Sequence, residues 1–193
     1  MKANIGSLTL NPSRVIASAH DPITVALSVK ESAGVIADGQ LVAKDADGEV
    51  IAHALVADAA MTGTIDGANK DFTATLGPVL PGTIVIANNN ASAQELTDDG
   101  NGNLVGDGTG TVNYKTGAVA AALTTAPAEG KTVLVSHKTK PVGVNIQECD
   151  TSEDDTALVV KHGTVNRDLL LRGAIAADDE DVAALEAIGL YAV

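Results

Sequence analysis

Between Met61 and Thr139 short apolar runs alternate with turn clusters at close spacing, and this texture constrains the fold more than any other feature. The runs Phe72–Leu76, Thr83–Ala87, Gly110–Tyr114, Ala118–Leu123 and Thr132–Ser136 are separated by Gly, Asn, Asp, Thr and Pro. Regular short strands with turn signals between them predict a small antiparallel sandwich or barrel. Lys115-Thr116-Gly117 is placed as the hairpin turn between the third and fourth runs.

The side chains available for a core narrow the choice further. The chain has one Phe (Phe72), two Tyr (Tyr114, Tyr191) and no Trp. Aromatic residues supply the largest burial per side chain. A core of Ala, Val, Leu and Ile must be thin and wide, and such units gain from association.

The flanking regions are patterned differently. Residues 33–57 read as a hairpin around Asp45-Ala46-Asp47-Gly48, since Asp-Gly supplies the positive φ of a tight turn. Val142–Gln147 and Ala157–Lys161 read as strands flanking the acidic loop Glu148–Asp155. One helix follows, capped by Asp178 or Asp179, with Glu180 and Asp181 near the positive end of its dipole. Val182, Leu185 and Ile188 form its apolar face, and Gly189 is placed to end it before a terminal strand.

Residues 1–30 alternate like strands but are interrupted by Pro12 and Pro22, the pattern of an arm that adds to a sheet edge or of ordinary edge strands. The expected organisation is an arm (1–30), a discontinuous mainly β domain with one short C-terminal helix (31–60 and 140–193), and an inserted antiparallel sandwich or barrel-like domain (61–139). Insertions are tolerated where loop ends lie close together.

The net charge of −13 argues against nucleic acid, whose phosphates repel such a surface. The excess is concentrated in residues 141–193, with eleven acids against three bases. No apolar run approaches the roughly 20 residues needed to span a bilayer, and no secretory pattern opens the chain. A soluble protein made in the cytoplasm is expected.

Chemistry is sparse. Asp99, Asn101 and Asn103 match the opening spacing of a calcium loop, but Leu104 and Gly110 stand where Gly and Glu are needed. His20, His53, His137 and His162 lack the spacing of zinc ligands. Cys149 lies among acidic residues, which oppose thiolate formation. The expectation is no enzyme, no metal and no cofactor.

Three stretches resemble the lambda-type head-decoration (capsid-stabilising) proteins of tailed bacteriophages: GQLVAKDADGEVIA (Gly39–Ala52), PVGVNIQECDTSEDDTALVVKHGTVNRDLLL (Pro141–Leu171) and AADDEDVAALEAIGLYAV (Ala176–Val193). The family order is a strand-turn-strand, a Gly-Ile/Val strand pair, a segment like Gly163–Leu170, then a helix leading to a short strand. Residues 61–139 resemble a different module of phage virion and tail-associated proteins. Its marks are Phe72, Leu80-Pro81-Gly82-Thr83, Thr97-Asp98-Asp99-Gly100, Gly102-Asn103-Leu104 and Tyr114-x-Thr116-Gly117-x-Val119. Small members of the decoration family lack such an insertion.

The resemblance implies a homotrimer on the outer surface of the expanded capsid, clamping the major capsid protein against internal DNA pressure, with no membrane partner. Arm contacts to the capsid would fall to Ile5, Leu8, Leu10, Val15 and Ile16, which could instead pack on their own domain. The insert would project outward and touch host surfaces weakly. The competing class is an adhesin or carbohydrate-binding module of a tail or fibre, using loops at Asn88–Asn90 and Asp98–Asp107.

Overall fold

A computed structural model of the chain describes residues 15–17 and 21–193. The chain enters through β1 (Ile23–Ser28), the two-residue β2 (Val35–Ile36), β3 (Leu41–Lys44) and β4 (Val50–Ala52). The β3–β4 turn forms as the sequence predicts. The Asp45 carboxylate accepts from the backbone N–H groups of Asp47 and Glu49, both at 3.0 Å, and Gly48 takes a φ of 86°.

Eight strands follow: β5 (Leu55–Ala60), β6 (Asp71–Thr75), β7 (Val85–Asn88), β8 (Glu95–Asp98), β9 (Asn103–Gly106), β10 (Gly108–Asn113), β11 (Ala118–Leu123) and β12 (Val133–Lys138). They form one antiparallel sheet in the order β5-β12-β7-β8-β9-β10-β11-β6. Thr62 and Thr73 exchange backbone hydrogen bonds of 2.8 and 2.9 Å, which joins the two ends into a nearly closed barrel. Closure satisfies the edge groups that an open sheet would expose.

The barrel is filled, not hollow. Phe72, Ile84, Ile86, Leu96, Leu104 and Val135 are at most 2 % exposed and belong to one cluster. Each such side chain contributes about 1.5–3 kcal/mol on burial. The opposite face of β6, β10 and β11 carries Thr73, Thr75, Thr109, Thr111, Ala118 and Ala120 toward solvent. That alternation is why the strands were legible.

The chain returns through β13 (Pro141–Asn145), β14 (Cys149–Asp150), β15 (Thr156–Val165), a 3-10 turn at Arg167–Leu169, the short β16 (Leu171–Arg172) and β17 (Ile175–Ala176), α1 (Asp179–Glu186) and β18 (Leu190–Ala192). The host sheet runs β1-β15-β13-β3-β4, with β18 parallel to the C-terminal end of β15. Val29 bridges Val50 and Lys30 N–H bonds Val50 O at 3.0 Å, so this sheet also curls its ends together. The fold is mainly β with one short helix near the C-terminus and a barrel-like inserted sheet.

Strand pairing draws the boundaries differently from the sequence reading. β1, placed in the arm, pairs with β15 along its whole length and belongs to the host sheet. β5, placed in the host, pairs with β12 and opens the inserted sheet. The insert's strands therefore run from Leu55 to Lys138.

Candidate functional site

The chain leaves the host at His53–Ala54 and returns at Lys138–Thr139, and these two crossings meet the first turn of α1. The helix is held there by a capping box. Asp178 Oδ1 accepts from Asp181 N–H and Asp181 Oδ2 accepts from Asp178 N–H, both at 3.0 Å. Asp181 faces inward, because the same turn that caps the helix also begins its buried face with Val182 and Leu185.

His53 bridges host and helix without solvent access. Its Nδ1 lies 2.9 Å from Thr139 Oγ1 and its Nε2 lies 3.0 Å from Asp181 Oδ1; both ionisable side chains are 0 % exposed. Burial pushes the His53 imidazole down, and Asp181 offsets that only in part. A neutral ring fits the donors. Ala54 N–H donates to Thr139 Oγ1 at 3.0 Å, and the Thr139 hydroxyl faces both Ala54 O at 3.4 Å and His53 Nδ1. With the ring proton on Nε2, Nε2–H donates to Asp181 and Nδ1 is the acceptor.

Two cations complete the cluster. Lys138 Nζ reaches Asp178 at 2.9 Å, Glu180 at 2.5 Å and Asp181 at 3.5 Å. Arg172 Nη1 donates to Asp178 and, at 2.9 Å, to Asp181. Burial alone would raise the Asp178 carboxyl, but Lys138, the Asp181 amide and Arg172 hold it well below the usual carboxylate range. Insert and host also approach closely elsewhere: a Cβ on Gly77 would stand 2.9 Å from Ala46 N in the host turn.

A hydroxyl, an imidazole and a carboxylate in series also describe a nucleophilic triad. Here Thr139 is 3 % exposed and its oxygen already accepts from Ala54 N–H, so no approach to it is open. The series ties both chain crossings to α1, and the Lys138 contacts reach α1 from the last residue of β12. Spacing rules missed it because His53 and Asp181 are 128 residues apart.

The calcium-like turn uses its own ligands. Asp99 accepts from the Asn101 and Asn103 amides and from Asn103 Nδ2 at 2.9 Å. Asp98 accepts from Gly82 N–H and from the Tyr114 hydroxyl, each at 2.6 Å. Burial and that carboxylate push the Tyr114 hydroxyl up to about 12. Among the described residues no group of three His, Cys, Asp or Glu is arranged to hold a metal ion.

The loops expected to share a sugar site lie at opposite ends of the barrel. Val85 pairs with Ser136 beside the host, and Asn88 pairs with Val133 at the far end. Asp98 pairs with Leu104 at the host end, whereas Leu96 pairs with Gly106 at the far end. Asn88–Asn90 and Asp107 therefore sit together, away from Asp98–Asn103. The aromatic side chains are elsewhere: Phe72 is inside the barrel, Tyr114 is tied to Asp98, and Tyr191 is 53 % exposed on β18.

Cys149 is 3 % exposed, and burial followed by Asp154 and Asp150 pushes its thiol up. His137 is buried, and among the described residues its Nδ1 has no hydrogen-bond partner. His20 and the arm residues Ile5, Leu8 and Leu10 lie outside the described residues. Val15 is 1 % exposed, packed with Leu41, Val165 and Leu190. Ile16 bridges Val165, and Ala17 N–H bonds Thr164 O at 3.0 Å. Val15 has no surface to offer a partner while it fills this core.

Comparison of the chain with protein-family models, curated proteins and solved structures finds no match. Among the described residues no helix is long and apolar enough to cross a membrane.

Proposed function

We propose that the chain is a decoration protein of a tailed-bacteriophage head, binding the outer surface of the expanded shell as a homotrimer and clamping the major capsid protein against internal pressure. One observation carries this reading. The three separated segments that resemble the decoration family converge in one host domain, although the insert interrupts them. Gly39–Ala52 forms β3, its turn and β4; Pro141–Leu171 forms β13 to the 3-10 turn and the first residue of β16; Ala176–Val193 forms α1 leading into β18.

The placement of Val15–Ala17 adds support. Ile16 bridges Val165 on one flank of the β15 end, while β18 occupies the other. In this reading Val15 and Ile16 anchor the arm, and Ile5, Leu8 and Leu10 make the shell contacts. In this reading the insert projects outward from the shell, and the Lys138 ion pairs to α1 fasten its root. Many repeated copies turn weak contacts into stable attachment, and the net negative charge keeps the protein off DNA.

The test is co-sedimentation of the purified protein with undecorated capsids of its source virus, expanded and unexpanded. Saturable binding to expanded shells, lost when residues 1–14 are removed, is the expected result. Absence of binding to either shell sinks the proposal.

A further inference from the structure

The far end of the inserted barrel carries a cleft of about 500 Å³ between the loop after β7 and the loop before β12. Side-chain amides sew its walls together. Asn88 Oδ1 accepts from Asn90 N–H and Gln94 N–H at 3.2 and 3.1 Å. Asn89 Oδ1 accepts from Thr132 N–H at 2.8 Å, and Asn90 Oδ1 from Ala128 N–H at 3.1 Å. Gln94, 8 % exposed, donates to Asp107 O at 3.3 Å. Three consecutive asparagines thus hold two loops in one shape, which lowers the ordering cost of binding a ligand between them.

Other polar groups lining this cleft have capacity to spare. Asp107 uses Oδ2 to accept from Glu95 N–H at 3.0 Å, leaving Oδ1. Among the described residues, Lys131 Nζ, Asn90 Nδ2 and the Ser92 and Thr125 hydroxyls make no protein hydrogen bond or ion pair. Alanine methyls, including Ala93 and Ala126, form the apolar part of the lining. The contrast with the Asp98–Asn103 turn is direct, since there the carboxylates are consumed by the turn itself.

The chemistry selects among ligands. One carboxylate is too few to hold a cation. An anionic ligand meets the Asp107 carboxylate, with Lys131 the single ammonium in the lining. A carboxylate acceptor beside ammonium, amide and hydroxyl donors matches adjacent hydroxyls, each of which donates and accepts. We propose that this cleft binds a neutral saccharide through vicinal hydroxyls, Asp107 Oδ1 accepting and Lys131 and Asn90 donating.

No aromatic platform lines the cleft, so a single site binds in the millimolar range. Avidity across many copies on a shell rests on the decoration reading; binding by the isolated chain does not. Failure of shell binding and failure of sugar binding are therefore read separately.

The experiment is an amide-resolved NMR titration of the full chain with galactose, mannose and N-acetylglucosamine, with N-acetylneuraminic acid and glycerol as controls. At least one neutral sugar is expected to give saturable shifts confined to Asn90–Gln94, Asp107 and Thr125–Lys131. Asp107→Asn and Lys131→Ala should each weaken it at least roughly tenfold, the effect of one charged hydrogen bond, with the remaining spectrum unchanged. Shifts absent from these residues for all three sugars overturn the proposal. So does stronger binding of the acidic sugar, or an equal response to glycerol.

Discussion

In the insert, eight strands follow one another round a barrel whose ends meet at Thr62 and Thr73, and its core comes from one continuous stretch of chain. In the host, the six-stranded sheet draws on both sides of that stretch: β1, β3 and β4 from before it, and β13, β15 and β18 from after it. The host also needs α1, whose Val182 and Leu185 join Val15, Leu41 and Val165 in one cluster. A self-contained barrel tolerates being carried as an insertion. A discontinuous host must be fastened where the chain crosses, and the fully buried His53–Asp181 contact with Lys138 and Arg172 lies at that crossing.

The comparison breaks most readily at the two centres. Phe72→Ala should cost about 3–5 kcal/mol, the usual loss for a buried Phe. Hydrogen exchange should accelerate through residues 55–138 while Val159 and Val160 stay protected. Loss of protection in both domains together would show that they are one cooperative unit.

Asp181→Ala removes the acceptor shared by His53, Lys138 and Arg172 and one half of the capping box. A loss of about 3–4 kcal/mol is expected, as for a broken buried ion pair. It should appear as loosening of α1 and of residues 53–55 and 138–140, with the barrel core intact. Uniform destabilisation of the barrel would place the fastening elsewhere.

Acid tests each domain through one histidine. Burial lowers the affinity of both His53 and His137 for a proton, so the unfolded chain protonates first as pH falls through the ordinary value of 6.5. Stability is complete above that pH and declines below it. Thermal unfolding between pH 7.5 and 5 should show that decline, and His137→Leu should flatten the part that belongs to the insert. The stability drawn from Asp178 persists into stronger acid, since its depressed carboxyl loses it only as pH falls below the usual 3.8. A flat profile contradicts the buried, neutral assignment.

The smallest effect is expected at Tyr114. Tyr114→Phe removes the hydroxyl that donates to Asp98 and accepts from Gly102 N–H at 2.7 Å, and should cost about 1 kcal/mol. The change should be confined to the turns at the host end of the barrel.

Local signals carried much of this architecture into the sequence. The strands at Ala118–Leu123 and Val133–Lys138 alternate cleanly, and the Asp178 cap with Val182 and Leu185 predicted α1. β8 and β9 escaped notice because each is four residues long amid Gly, Asp and Asn; their buried anchors are Leu96 and Leu104. β5 was assigned to the wrong sheet because its residues continue the host hairpin without a break, and only pairing with β12 decides the matter. The His53–Asp181 contact and the cleft at Asn90 and Lys131 join residues far apart in sequence, and periodicity carries no information about such meetings.

The central claim is a clamp, and its most direct measurement is calorimetry of expanded, undecorated shells with and without saturating protein. The account predicts a higher disruption temperature for the decorated shell, with the increase abolished when residues 1–14 are deleted. An unchanged disruption temperature at saturating, demonstrably bound protein would contradict it.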